Sequence, residues 1–164
     1  MKIEKLTRKF GRDARNLITD AGNKNTEGAV ACLETFYYAF NNKDLDVFKM
    51  IWLNHELIQL NNPLGGIVRG IVPITEIYST IFHGQADVWV ELGDIVSWQS
   101  GDMAVFAGTE TGEFTANGQT LNLKIRTTRF FGYDESARQW FQVHHHGSID
   151  SVDLLDRYQK AVRK

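Results

Sequence analysis

Apolar residues recur along this chain with two different periods, and the change between them falls near Gly84. Before Gly84 they return every three or four positions, which puts them on one face of a helix. Ile3, Leu6, Phe10, Ala14 and Leu17 predict an amphipathic helix over residues 3–18, part of an arm with its connector spanning 1–24. Asn25 or Thr26 is suited to cap the next helix by accepting its free amide protons. That helix runs to about Phe40, with Val30, Leu33, Tyr37 and Phe40 on one face. The stretch from Asn41 to Asp44 stops it and caps a short successor holding Leu45, Phe48, Ile51 and Trp52. A brief strand over 55–60 and a glycine-bearing loop from Asn61 to Gly70 follow. Pro73 suits the first turn of a third helix, striped by Ile74, Ile77, Tyr78 and Ile81, with Gly84 closing it in the left-handed conformation.

After Gly84 the period becomes two, that of a strand with one face covered. Four long strands are expected, at about 87–99, 103–115, 120–133 and 139–149. The turn signals between them are Ser100-Gly101-Asp102, Asn117-Gly118 and Tyr133 to Ser136. Helices followed by a meander mean an α+β domain over residues 25–164, closing on a short helix or tail at 151–164. Such an antiparallel sheet curls into a cone around the helices and leaves a cavity able to take a small molecule. The outer face is expected to carry Trp89, Phe106, Phe130, Trp140, Gln142, His144 and His146 and to be covered in a homodimer.

Composition removes several function classes. The formal charge of -2 offers no basic stripe for nucleic acid. No run approaches the ~20 apolar residues of a membrane span, and charges interrupt the N-terminus too often for a signal peptide. The arm is rich in lysine and arginine, which fits either a membrane surface or packing against its own domain; the narrow stripe without tryptophan favours the second. Cys32 is the one cysteine, so no internal disulfide exists and a cytoplasmic setting is expected.

Several segments resemble a known family. Glu34 to Leu45 looks like the first-helix signature of SnoaL-like proteins, a branch of the nuclear transport factor 2-like superfamily, and Gly65 to Gly70 is similar to its glycine loop. Trp140, Val143, His144, His146 and Ser148 fall in the spacing of the last strand of the calcium/calmodulin-dependent protein kinase II association domain, and Thr128-Arg129 fits the strand before it. The resemblance covers about residues 27–149, and no kinase domain accompanies it. It implies the cone-shaped fold, and it implies that Arg129 lines a pocket, as the matching arginine does in the association domain. That domain's other pocket arginines are replaced, by Gly147 and, on an approximate alignment, Thr109. The superfamily holds isomerases, cyclases, dehydratases, adaptors and oligomerisation hubs, so membership leaves function open.

Strand parity then sorts the candidates. Arg129 shares a face with Leu121, Leu123 and Ile125, where its guanidinium either anchors a small polar or carboxylate-bearing ligand or pairs with an internal acid. His145 shares a face with Phe141 and Val143 and is a pocket residue or general base; a bulge would exchange the faces of His144, His145 and His146. Asp94 follows Val88, Val90 and Leu92 in parity, which places it in the pocket as a base, although Gly93 beside it suggests a bulge that turns it to solvent. Tyr37, Trp52 and His55 complete the expected wall, with core packing as the other reading of Tyr37 and Trp52. His144 and His146 at alternate positions could hold zinc with His55, Glu91, Glu110 or Glu113, but no spacing selects the third ligand, so neither metal nor cofactor is expected. The expected function is a homodimeric ligand-binding module anchored by Arg129; the alternative is an isomerase, cyclase or dehydratase using His145 or Asp94 as base.

Overall fold

The computed structural model describes residues 1–162. A seven-stranded sheet, ordered β1-β4-β5-β6-β7-β2-β3, curls around two helices in an α+β architecture. Its long strands are β4 (Asp87–Ser100), β5 (Met103–Ala116), β6 (Gln119–Asp134) and β7 (Gln139–Ser148), the expected antiparallel meander. Asn117 and Gly118 make the β5–β6 turn with φ of 52° and 72°, the paired positive values of the tightest hairpin connection. Helix α1 (Thr26–Asn41) lies in the hollow of the sheet with most of its residues buried. Asn25 caps it by accepting from the Gly28 amide at 2.9 Å, and Asp44 caps α2 (Leu45–Ile51) by accepting from Val47 at 3.0 Å. Helix α3 (Ile71–His83) carries Pro73 in its first turn and ends at Gly84 with φ -69°, an extended cap in place of the expected left-handed one. Helix α4 (Val152–Val162) closes the described chain.

Four expectations are corrected. The N-terminal arm is no helix: β1 (Lys2–Leu6) pairs antiparallel with β4, and Phe10 continues the pairing at Leu92. In this segment Ile3 stays outside and Phe10 goes into the core. The basic residues that surrounded the stripe pair with acids of the same domain, Lys5 with Asp94, Lys9 with Glu91, Arg8 with Glu27 and Arg15 with Glu34. Lysines along an edge strand also discourage strand addition by other molecules.

The sheet is mixed, not purely antiparallel. The short strand β2 (Gln59–Asn61), hairpinned to β3 (Ile67–Arg69), runs parallel to β7, with Gln59 opposite His144 and Asn61 opposite His146. Strands β4 and β7 each hold a bulge. On β4, Gly93 pairs with Thr109 and Val96 with Ala107, leaving Asp94 at φ 51° and pointing to solvent. On β7, Phe130 faces His144 while Phe131 faces Gln142, so Val143 is the extra residue. Strict alternation therefore fails at Val143. Trp140 and Gln142, expected outside, face α1 and are fully buried, and His145 is buried as well. Phe106 also belongs to the inner face, packed against Phe131.

Candidate functional site

The concave side of the sheet and helices α1 and α3 enclose a cavity of about 480 Å³. Its walls are mainly apolar, with Phe36 and Phe40 from α1, Ile77 and Ile81 from α3, and Val90 and Phe114 from the sheet. Helix α4 supplies Tyr158 and Ala161 at one side, where Gln159 donates to the Leu64 carbonyl at 2.8 Å and Tyr158 packs on Phe114. No described residue of α4 is fully buried, so this wall is held by its rim.

Polar groups gather at the inner end. Strand parity brings Glu110 of β5, Arg129 of β6 and His145 of β7 onto the same inner face, and all three line the cavity. The Arg129 guanidinium is 1% exposed as a side chain and spends each of its nitrogens on a partner. Nε donates to the Tyr37 hydroxyl at 3.0 Å, Nη1 to Gln142 Oε1 at 3.0 Å and Nη2 to Glu110 Oε1 at 2.8 Å. Tyr37 donates to the same Glu110 oxygen at 2.6 Å, and the Phe36 ring lies 3.5 Å from the guanidinium carbon. Burial lowers the pKa of Arg129; Tyr37 and Glu110 outweigh it and raise the pKa above an already high value. Further hydrogen bonds of this kind offset the desolvation of a buried ion pair.

His145 differs. It is 3% exposed, sits opposite Arg129 in the strand pairing, and has its ring 6.4 Å from Phe36. Neither ring nitrogen has a hydrogen-bond partner among the described residues. Burial first, then the charge of Arg129, drives its pKa well below 6.5, so the imidazole is neutral. No group of three or more possible metal ligands exists among the described residues.

A family model described as a SnoaL-like domain matches residues 29–151. The chain belongs to the SnoaL-like family. No curated protein matches it. Among solved structures, a nuclear transport factor 2-like superfamily protein from Salmonella enterica aligns at 19% identity and a TM-score of 0.67, over 77% of this chain and 93% of that one. A candidate dehydratase of the NTF2-like family from Streptomyces avermitilis aligns at 16% identity and a TM-score of 0.65, over 77% and 97%. The association domain of C. elegans CaMKII aligns at 21% identity and a TM-score of 0.59, over 75% and 94%. At such identities the likeness is one of fold.

Within this SnoaL-like cavity the expected residues separate. Arg129 and His145 line it, and Tyr37 stands directly behind as a partner of Arg129. Trp52 is buried against Phe48 beyond the cavity lining, a core residue. His55 is exposed and accepts from the Leu57 amide at 3.0 Å, and the β2 strand begins only at Gln59. Asp94 lies outside, 2.8 Å from Lys5, with its side chain 72% exposed. Glu110, Tyr78 and Tyr158 line the cavity without having been expected there. Glu110 was legible in principle, because Phe106 and Phe114 flank it at the same parity on β5.

Proposed function

We propose that this SnoaL-like protein is a small-molecule-binding module, working as a homodimer, whose cavity takes a mostly apolar compound by its shape and holds one polar end at the Glu110–Arg129–His145 floor. The observation that carries this reading is the cavity of about 480 Å³, whose volume falls in the range of ligand pockets and whose mainly apolar lining includes Glu110, Arg129 and His145 from three adjacent strands. Arg129 serves as a fixed part of that floor. Its partnership with Glu110, Tyr37 and Gln142 argues against a free cation awaiting a carboxylate.

The dimer is supported by an apolar row across the outer face. Ile3, Trp98, Val105 and Phe130 are successive cross-strand partners on β1, β4, β5 and β6, and a monomer leaves them open to water. The association-domain name of one structural relative is in keeping with self-assembly.

An enzymatic reading, with His145 as general base of an isomerase, cyclase or dehydratase, is favoured by its neutral and unpartnered ring. It carries less weight, because no second titratable group hydrogen-bonds His145 among the described residues.

Titration with the neutral apolar fluorophore N-phenyl-1-naphthylamine tests the binding reading. One saturable site per chain is expected, lost in Ile77→Trp, which fills the cavity from α3. Absence of saturable binding by the folded wild-type protein would overturn it.

A further inference from the structure

Taking the cavity as a ligand site, we propose that its inner end is a hydroxyl site: it selects an uncharged ring compound bearing an alcohol or phenol oxygen and turns away carboxylates.

The first ground is His145. A neutral imidazole presents one N–H donor and one bare nitrogen acceptor; here both are buried and unpartnered, in a residue that lines the cavity. Folding leaves such a pair of atoms unsatisfied only at a cost, unless something else meets them. A hydroxyl both donates and accepts, so it can serve either ring tautomer. A ketone or ether oxygen only accepts, so it can meet the N–H but never the bare nitrogen.

The second ground is the charge around it. Arg129 is the cation of the cavity lining, and Glu110 already neutralises it at 2.8 Å. Its flat face is covered by Phe36 at 3.5 Å, and each of its nitrogens already donates. An incoming carboxylate would have to displace Glu110 or lie beside it, two anions in a poorly solvated space. Glu110 offers a further clue. Both of its hydrogen bonds, from Tyr37 and from Arg129, arrive at Oε1, and no described residue donates to Oε2. That open oxygen accepts a hydroxyl proton and repels an anion. The neutral state of His145, set by burial and by Arg129, points the same way, because an uncharged imidazole adds no attraction for a carboxylate.

The rest of the lining agrees with an uncharged ring compound. Phe40, Ile77, Ile81, Val90 and Phe114 offer flat or branched apolar surface and no cation.

A four-compound series decides the matter: biphenyl, 4-methoxybiphenyl, 4-hydroxybiphenyl and biphenyl-4-carboxylate, each displacing N-phenyl-1-naphthylamine at neutral pH. The hydroxyl compound is expected to bind at least ten-fold more tightly than the carboxylate and several-fold more tightly than the ether. In His145→Phe the hydroxyl advantage over the ether should fall to the part that Glu110 Oε2 supplies while biphenyl still binds, and His145→Gln, which keeps a donor and an acceptor, should restore part of the loss. Equal or tighter binding of the carboxylate refutes the hydroxyl site, as does a hydroxyl advantage that is undiminished in His145→Phe. If that variant does not fold, the wild-type ranking and His145→Gln still decide. If biphenyl and the fluorophore both fail to bind, the cavity reading falls and this inference with it; if they bind without a hydroxyl preference, this inference alone falls.

Discussion

Arg129 and Glu110 make each other's burial tolerable. Both side chains are buried, and among the described residues the carboxylate is the one anionic group that touches the guanidinium. Removing one member of such a pair strands the other, which costs about 3–5 kcal/mol, whereas removing both costs far less. Arg129→Met should therefore lower the unfolding free energy by about that amount. The double variant with Glu110→Gln should lose clearly less than the sum of the single losses in urea denaturation. Strict additivity would show that the two charges do not depend on each other. The pairing was hidden in the sequence for a definite reason. Strand β6 has no acid on its own inner face, and the partner sits on β5, one strand away, where only the register brings Glu110 level with Ile125 and within reach.

At the scale of elements, the features that depend on near neighbours were readable and those set by distant ones were not. Caps and turns belong to the first kind. Asn25 meets Gly28 three residues on, and Asn117-Gly118 bends by its own backbone preference. Because α1 fills the hollow of the sheet, losing its cap weakens the whole domain. Asn25→Ala should cost about 1 kcal/mol, seen as a drop of several degrees in Tm with unchanged ligand affinity. A change under a few tenths of a kcal/mol would mean water replaces the cap. The N-terminal segment belongs to the second kind. Its apolar spacing reads as a helix, and the open edge of β4 overrides it by offering a strand partner. The β7 bulge is similar, since Val143 slips out of register to keep Trp140 and His145 both inside. The candidate site suffered most from this. Parity put Arg129 and His145 on the face where both are buried, and Gly93 beside Asp94 already signalled the bulge that turns it to solvent. Gln142 was sent outward, because a bulge in the last strand could be named but not located at Val143.

For the molecule as a whole, the outer row of Ile3, Trp98, Val105 and Phe130 makes a definite forecast. Sedimentation at micromolar concentration should return a dimer, and Phe130→Lys should shift it to monomer while leaving the circular dichroism spectrum intact. A monomeric wild type would remove the outer face as an interface. The parallel pairing of β2 with β7 carries a further consequence, in the order of events during synthesis. Residues 59–61 leave the ribosome early, yet their partner strand comes only at residues 144–146. Contacts so distant along the chain form late, after the helices and the β4–β6 hairpins have had time to fold on their own. A nascent chain stalled before β7 would already hold Arg129 and Glu110 but would lack Gln142, His145 and the strand that walls them in. The cavity is thus among the last things this chain completes, and a truncated product would expose an unfinished, half-apolar trough to the cell's folding machinery.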